Sequence, residues 1–479
     1  MKVILITFLS CCYFVTHAQS FVIKDIKSFG AKGNGKANDQ EAFKKAAVYF
    51  NERGGYGKLI VSKGTYLVGV QKFTRGQLNK PAYEGEDILH FTYIKDFNIE
   101  GVNGAIIKYK NGQRIGSFSP ATGNPFEHGN NFFIDPRFAA SPGTCIYLEN
   151  CSNIKISNLS FDGNNQNMIL GGVYGDVGRQ LPHYGIFISN SKSIEIENIY
   201  AHHFGLDGIC VSNSKSNTND AINIIDSKFE YNARQGLSWV GGNGLNVKNC
   251  KFNHTGKSIF FSLPGAGVDI EAETGPILNG IFDSCEFADN TGYGLFALAG
   301  DSKDCSFKNC NFWGTTNGSI WINKANYTFY NCNIYGLLYQ GCDAENDNDA
   351  TKFYECLFED TVYNGQRVYG NYLVESWNVK RMSFTNCTFI SKIKKLCVLS
   401  SPDSFSTAER YHLNNCQFII NNKNLPANDF IGITNGVVAT NCTFNFMSTE
   451  AFQKKYSFNN ANPATNSGSS GTKIFYKGK

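Results

Sequence analysis

A cysteine followed two positions later by phenylalanine or isoleucine recurs at near-regular intervals through the second half of the chain. Most copies carry an asparagine before the cysteine, as in Asn309-Cys310-Asn311-Phe312. The eight cysteines are Cys250, Cys285, Cys310, Cys332, Cys356, Cys387, Cys416 and Cys442, and their successive separations are 35, 25, 22, 24, 31, 29 and 26 residues. A unit of about two dozen residues cannot bury an apolar face alone, so the units must stack on one another.

Each unit contains short runs in which apolar and polar residues alternate, as in residues 194–199, and Asn, Asp or Gly breaks these runs. The alternation predicts short strands separated by turns, without a helix in the repeat. The predicted fold class is therefore all-β: a parallel β-helix, or solenoid, with at least eight coils between about residues 140 and 445. Equivalent phenylalanines are expected to stack on a single sheet inside the coil.

The repeated cysteines are predicted to be reduced and buried. A buried thiol behaves as a small hydrophobic group, although neighbouring rungs ~4.8 Å apart approach disulfide distance. Coordination of a metal by these cysteines is not favoured, because no CxxC pair or histidine cluster accompanies them.

One amphipathic helix is predicted near residues 39–52, ahead of the repeat. Its apolar positions are Ala42, Phe43, Ala46, Ala47 and Phe50, and Asn38-Asp39 supplies a cap. The sequence FGAKGNGKANDQEAFKKAA, followed by GTYLV at residues 64–68, resembles the opening of the pectate-lyase-like superfamily, which includes polygalacturonase-like hydrolases and polysaccharide lyases. The resemblance implies a right-handed parallel β-helix whose N-terminal end is capped by this helix, and a polysaccharide substrate.

The N-terminus has the features of an export signal. Lys2 precedes an apolar run, and Thr16-His17-Ala18 offers small residues for cleavage, so residues 1–18 are predicted to be a signal peptide and the mature protein to be secreted or periplasmic. Lipidation at Cys11 is the less favoured alternative. The remaining chain divides into an N-terminal cap with the first coils (19–110), a β-helix with groove loops (111–445) and a C-terminal cap or tail (446–479).

Charge excludes some classes of partner. The chain has 44 basic and 40 acidic residues, a formal net charge of +4, without blocks of like charge. This composition does not favour nucleic acid, and no later segment is long and apolar enough to predict a membrane span. A monomer or a trimer is compatible with the pattern.

The candidate catalytic and binding residues are predicted to lie in one outer column of side chains. A Gly-apolar step recurs in successive coils, and alternation turns the following residue outward. The predicted outward column contains Cys210, Ser238, Asp269, Phe296, Trp321 and Asp343. Asp269, Glu271 and Glu273 share one face at two-residue spacing, about 6.5–7 Å apart, which is in the range of inverting glycosidases. A solvated acidic strand or a Ca²⁺ site is the alternative interpretation.

Basic and aromatic residues surround these acids in the predicted stack. Arg234 could bind an anionic sugar substituent or neutralise Asp269. His202 and His203 are predicted to lie at the mouth of the same sheet and to bind substrate, and Phe296 and Trp321 suit sugar stacking.

The family resemblance adds one catalytic candidate. Residues 206–209 resemble the first aspartate motif of the polygalacturonase-like hydrolases, which implies a catalytic role for Asp207 in the matching place. The family's adjacent aspartate pair and its Gly-His-Gly and Arg-x-Lys motifs have no counterpart in the following coils. Two long interruptions of the repeat, residues 111–144 and 163–183, are expected to overhang the groove.

The leading hypothesis is a glycoside hydrolase without a cofactor, in which Asp269 and Glu271 are acid and base, Asp207 assists, and Arg234 and Glu273 contact a polysaccharide or oligosaccharide. One alternative is a Ca²⁺-dependent polysaccharide lyase, in which the acids bind the ion and Arg234 or a histidine removes a proton. Another is a non-catalytic glycan-binding solenoid.

Overall fold

The computed structural model describes residues 20–102, 104–126, 135–172, 181–214, 218–339, 346, 348–375, 382–392, 397–400, 411–421, 437–446 and 473–476. The predicted signal peptide lies outside these residues, as does most of the predicted C-terminal segment 446–479. In the described part of the chain, no helix is long and apolar enough to cross a membrane.

The chain winds through three parallel sheets, each built from strands of successive coils. The first sheet, called the groove sheet here, contains Leu89–Thr92, Ile146–Glu149, Ile186–Ser189, Asp207–Ser212, Gln235–Asn243, Ala266–Ile270, Leu295–Ala297, Ile320–Ile322, Leu338–Tyr339, Tyr372–Glu375 and Cys397–Ser400.

In each full coil, a strand of the second sheet follows the strand of the groove sheet along the chain. It contains Val22–Asp25, Gly55–Val61, Lys95–Gly101, Ser152–Asp162, Lys192–His202, Ile222–Ile225, Leu245–Lys248, Ile277–Asp283, Ser302–Lys308, Thr328–Tyr330, Thr351–Tyr354, Met382–Thr385, Tyr411–Asn414 and Val437–Thr440.

The third sheet shares the strands Ser152–Asp162 and Lys192–His202, which continue from the second sheet. Its other strands are Asn34–Asn38, Gly64–Val68, Ala105–Tyr109, Lys228–Glu230, Glu286–Ala288, Asn311–Trp313, Asn333–Tyr335, Leu357–Glu359, Thr388–Ser391, Gln417–Ile420, Thr443–Phe446 and Lys473–Tyr476.

A smaller sheet lies outside the coils. Its strands are Gln71–Phe73, Tyr83–Gly85, Arg114–Ser117, Ala139–Ser141 and Ile169–Gly171. A two-stranded hairpin pairs Val362–Tyr363 with Gln366–Arg367. The helices of the described residues are the α-helix Gln40–Glu52 and the 3-10 helices Ile26–Phe29, Pro136–Phe138 and Asn165–Asn167.

The core consists of like side chains stacked in successive coils. Phe287 pairs in register with Phe312, and the two rings are 4.5 Å apart. On the second sheet, the Phe282 and Phe307 rings stack at 4.8 Å. The predicted phenylalanine ladder on one sheet is confirmed, because the register continues in the third sheet from Phe358 through Phe389, Phe418 and Phe444.

The turn between the second and third sheets explains the Asn-Cys pair. Asn309 and Asn331 adopt left-handed backbone angles, φ 53° and 50°, which asparagine tolerates better than most residues. Their side chains also bond coil to coil, since Asn331 Nδ2 donates to Asn309 Oδ1 at 2.9 Å. Twelve cysteines are free and buried among the described residues, as predicted, and burial raises the pKa of the Cys305 thiol to about 12.

The predicted N-terminal helix is confirmed at Gln40–Glu52, and it covers the end of the coil stack. Phe43 packs edge-on against Tyr66, and the Phe50 ring lies 4.5 Å from the Phe97 ring. The Asp39 carboxylate does not cap the helix. It accepts hydrogen bonds from the backbone nitrogens of Lys32 and Gly33, at 2.7 and 3.0 Å, and so holds the preceding loop.

Phe312→Ala should lower the free energy of unfolding by about 3–5 kcal/mol, because the cavity opens inside a ladder that cannot collapse locally. Tyr330→Ala, at a ring that is 40% exposed, is the control and should cost less than about 1.5 kcal/mol. Urea denaturation of both variants measures the difference, and equal losses would contradict the ladder as the main source of stability.

Candidate functional site

The outer face of the groove sheet carries one column of paired residues. In coil order it reads His90, Tyr147, Phe187, Cys210, Ser238, Asp269, Phe296, Trp321, Tyr339 and Glu375. The predicted column is confirmed from Cys210 to Trp321. It is wrong at Asp343, which lies outside the described residues, because the chain re-enters the sheet at Leu338 and places Tyr339 beside Trp321.

Side-chain size divides this column into three parts. Cys210, Ser238 and Asp269 are small and form the central floor, with aromatic side chains on both sides. Phe187 and Phe296 bound the floor and are four coil steps apart, about 19 Å at the usual strand spacing. The half-buried rings of Phe296 and Trp321 contact edge to face at 5.2 Å, and Tyr293 lies 5.0 Å from Trp321.

A buried ion pair lies at the edge of this floor. Arg234 Nε donates to Asp207 Oδ1 at 2.9 Å, and Arg234 Nη2 donates to Asp207 Oδ2 at 2.6 Å. Burial opposes the charge on Arg234, but Asp207 raises the Arg234 pKa well above its usual range. Burial also raises the pKa of Asp207, against the effect of Arg234. Asp207, not Asp269, is therefore the direct partner of the guanidinium.

Asp269 is buried, with 1% of its surface exposed. Gln235 Nε2 donates to Asp269 Oδ2, whereas Asp269 Oδ1 and Gln235 Oε1 are buried without a hydrogen-bond partner among the described residues. Burial, followed by the charge of Glu271, raises the Asp269 pKa well above its usual range, and Arg234 only partly opposes this. The side chain points away from the core, as predicted, but its neighbours cover it, so the alternative of a solvated acidic strand does not hold for Asp269.

The other two acids lie at and beyond the end of the strand. The strand ends at Ile270, and the Glu271 backbone nitrogen continues the ladder by donating to Trp239 O at 3.0 Å. Glu271 is half-buried, and burial and Glu273 raise its pKa. Glu273 is exposed and does not continue the strand, because its backbone nitrogen turns to Val240 O. The predicted strand face thus holds for Asp269 and Glu271 but not for Glu273.

His202 and His203 lie in a different place from the one predicted. His202 ends the strand Lys192–His202 and pairs in register with Asp162 and Glu230 on the third sheet. His203 follows at a turn with φ 57° and stacks on Tyr231. The expected position at the mouth of the groove sheet is wrong, because the turn at residues 203–206 separates the two sheets.

The long interruptions pack beside Arg234. Their strands join the outer five-stranded sheet, and Ile115, Ala139, Met168 and Leu181 form an apolar cluster with Ala233 and Phe260. His183 is buried with them and accepts from the Gly205 backbone nitrogen at 2.7 Å, and burial lowers its pKa to about 3. Arg234, which follows Ala233 in the chain, is buried as well.

The sequence interpretation missed three contributors to the site. Gln235 was visible as the residue after Arg234, but only the fold brings its amide to Asp269. Tyr147 and Phe187 carried a usable signal, since both lie at polar positions of alternating runs and pair with each other in register.

Asp269, Glu271 and Glu273 fit a calcium ion poorly. In the described part of the chain, only Asp162, His202 and His203 bring three ligand atoms within 4.8 Å of one another. Asp269, Glu271 and Glu273 do not converge in this way, and the Arg234 cation acts on the first two.

Coils that stack in register through three parallel sheets define a parallel β-helix. On the outer face of its groove sheet lies a polar floor between aromatic side chains. The chain belongs to the family described as "Right handed beta helix region", whose model matches residues 90–334 and 216–389. The predicted fold class is thereby confirmed, and so is the right-handed parallel β-helix that the resemblance to the pectate-lyase-like superfamily implies.

Solved structures similar to this chain include the A-module of mannuronan C-5 epimerase AlgE4 from Azotobacter vinelandii, at 14% identity and TM-score 0.45, covering 83% of this chain and 95% of that one. Gene product 12 of bacteriophage phi29 matches at 14% identity and TM-score 0.48, covering 94% of this chain and 51% of that one. A GH87 α-1,3-glucanase of Streptomyces thermodiastaticus matches at 11% and TM-score 0.36, covering 85% and 68%. At these identities the similarity concerns the fold. No curated protein matches the chain.

Arg234→Met should destabilise the protein by about 3–5 kcal/mol, because Asp207 remains buried without its partner. Combining it with Asp207→Leu should recover much of that loss. Lys155→Met is the control, since Lys155 and Glu195 form a surface pair about 40% exposed worth less than about 1 kcal/mol. Urea unfolding of five proteins gives the comparison: the wild type, Arg234→Met, Asp207→Leu, the double variant and Lys155→Met. Additive losses in the double variant would contradict the pairing.

Asp269→Asn should change how stability depends on pH. A carboxyl whose pKa is raised by folding favours the folded state fully below its unfolded pKa, about 3.9, and this contribution is lost as pH rises through the folded pKa. The amide resembles the neutral acid, so above pH 4 the wild type should lose unfolding free energy relative to the variant. Parallel pH profiles of the two proteins would show that the Asp269 pKa is not raised.

Proposed function

We propose that this protein degrades a polysaccharide as a glycoside hydrolase, with Asp269 as general acid and Glu271 as general base. The observation that carries the proposal is the buried Asp269 carboxyl with a strongly raised pKa, in the middle of a small-residue floor bounded by aromatic rings. A carboxyl whose pKa is raised by its surroundings is suited to donate the proton that glycosidic bond cleavage requires.

The aromatic rings on either side would bind the sugar chain. Phe187 and Tyr147 on one side, and Phe296 and Trp321 on the other, present apolar ring surfaces to the apolar faces of sugars. A floor about 19 Å long between Phe187 and Phe296 favours an extended glycan that crosses several coils.

The unpartnered atoms of the floor favour a hydroxyl ligand. Asp269 Oδ2 accepts from Gln235, so the proton of the acid would lie on Oδ1, which has no hydrogen-bond partner among the described residues. A sugar oxygen can accept one hydrogen bond and donate another. It would receive the Asp269 proton as the glycosidic bond breaks.

Glu271 would activate the attacking water. It is half-buried and interacts with both Arg234 and Lys324, whose charges lower its pKa against burial and Glu273. Ile270 keeps the chain extended between the two acids, so their positions are about 6.5–7 Å apart. This spacing favours the inverting reaction.

Asp207 and Arg234 would act through each other and not by direct contact with the sugar. Asp207 occupies Nε and Nη2 of the guanidinium and fixes it near the acids, where the charges of Arg234 and Asp207 act in opposite directions on Asp269. This revises the proposed clamp on an anionic substituent. It also weighs against the lyase alternative, since a cation held by Asp207 is a poor base and His202 and His203 lie on the third sheet.

We further propose that the protein is exported after cleavage near Ala18. N-terminal sequencing of protein recovered outside the cytoplasm would begin near Gln19, whereas a lipidated N-terminus at Cys11 would contradict this proposal.

Asp269→Asn and Glu271→Gln should each lower turnover about 10²–10⁴-fold, the usual contribution of a general acid or base. The substrate is found by incubating the wild type with plant, algal and host polysaccharides and measuring reducing ends. Glu197→Gln is the matched control, since this acid pairs with Lys155 on the outside of the second sheet and should leave turnover unchanged.

Three results would separate the alternatives. Ultraviolet absorbance from unsaturated products, with activity lost on chelation, would contradict hydrolysis and favour the lyase. Glycan binding without turnover, unaffected by either amide, would favour a non-catalytic solenoid. Full activity in both amide variants would remove these acids from the mechanism.

A further inference from the structure

A second group of titratable residues lies on the outer face of the third sheet. Lys108, Asp162, His202 and Glu230 pair in register on four successive coils. His203 follows at the adjoining turn. The proposed hydrolase mechanism uses none of these residues.

The two imidazoles converge with a carboxylate. His202 Nδ1 and His203 Nδ1 are 2.7 Å apart, and His202 Nδ1 is 3.8 Å from Asp162 Oδ1. One ligand atom from each of the three residues lies within 4.8 Å of the other two. The 2.7 Å contact is a hydrogen bond between the two rings, so a metal ion would replace the proton that they share.

Neighbouring groups fix these side chains. The His202 ring stacks on Tyr200 at 4.2 Å, and the His203 ring stacks on Tyr231 at 5.1 Å. Asp162 accepts from Lys108 Nζ at 2.6 Å and from the Asn164 backbone nitrogen at 2.8 Å. Burial lowers the pKa of His202 to about 4 and also lowers that of His203.

We propose that Asp162, His202 and His203 bind a divalent transition-metal ion, zinc being the ion that best suits two imidazoles and a carboxylate. At Zn–N distances of about 2.0–2.1 Å, tetrahedral ligands are about 3.3 Å apart. The two separations of 2.7 and 3.8 Å each differ from that spacing by about half an ångström, and the third pair, His203 and Asp162, lies within 4.8 Å.

The hydrogen-bond partners of His203 and Asp162 are compatible with a bound ion. Gln166 Nε2 is 2.9 Å from His203 Nε2. If His203 Nδ1 binds metal, Nε2 carries the proton, and rotation of the Gln166 amide presents its oxygen as the acceptor. Lys108 occupies Asp162 Oδ2, and Oδ1, which accepts from the Asn164 backbone nitrogen, is the carboxylate atom nearer to His202.

The ion would tie two coils together. Asp162 and His202 belong to neighbouring strands, and His203 lies at the turn before the groove sheet. Three protein ligands leave a fourth position for water. This metal site includes neither Asp269 nor Glu271, so the metal proposal does not depend on the hydrolase proposal.

The test is zinc binding by the untagged, chelator-treated full chain, measured by isothermal titration and by mass spectrometry under native conditions. The wild type should bind one zinc ion and should not take calcium in its place. His203→Asn removes one ligand but keeps a residue that tolerates positive φ, and binding should weaken at least about tenfold. Asp162→Asn should have a similar effect.

His254→Asn is the matched control. His254 also has positive φ, 58°, and stacks on the same Tyr231 ring at 4.7 Å, but its nitrogen faces Asp289 at 3.1 Å. This variant should bind zinc as the wild type does. Absence of zinc binding by the wild type, or equal loss in the His254 and His203 variants with intact circular dichroism, would overturn the proposal.

Discussion

Parallel hydrogen bonding between coils makes each side chain the neighbour of its equivalents above and below. Inside the stack, this places Phe on Phe and Cys on Cys, and the apolar ladders provide the main stabilisation. The same register acts on the outer face, where it builds columns from residues distant in sequence. Asp269 contacts the coil of Ser238 on one side and that of Phe296 on the other. The site is therefore a consequence of the ladder.

Burial raises the pKa values of Asp207 and Asp269. Asp207 has an internal cation as partner, and Asp269 has only an amide. Two carboxylic acids in one cluster thus differ in environment, which is how proteins separate a structural carboxylate from a protonated acid. Loops that pack around Ala233 keep this region out of water. A solvent-exposed acid of the same sequence would titrate normally and would be a weak acid catalyst.

The periodic part of the fold could be predicted from the sequence, because stacking forces each coil to repeat the same residue types. The Cys-x-Phe ladder, the terminal helix and the outer column from Cys210 to Trp321 follow from this rule. Loop length is not periodic, so the rule failed at Asp343, where a short turn brings Tyr339 into the column. It also failed for His202 and His203, because a four-residue turn decides which sheet a side chain joins.

Contacts between non-repeating segments could not be predicted either. The pairing of Arg234 with Asp207 and that of Gln235 with Asp269 are side-chain contacts that the repeat does not specify. Infrared difference spectroscopy of the wild type against the Asp269→Asn variant at neutral pH tests most directly whether the Asp269 carboxyl is protonated. We expect a protonated carboxyl C=O band in the wild type that the variant lacks. Identical spectra in the carboxylic acid region would contradict it, since Asp269 would then be an ordinary carboxylate.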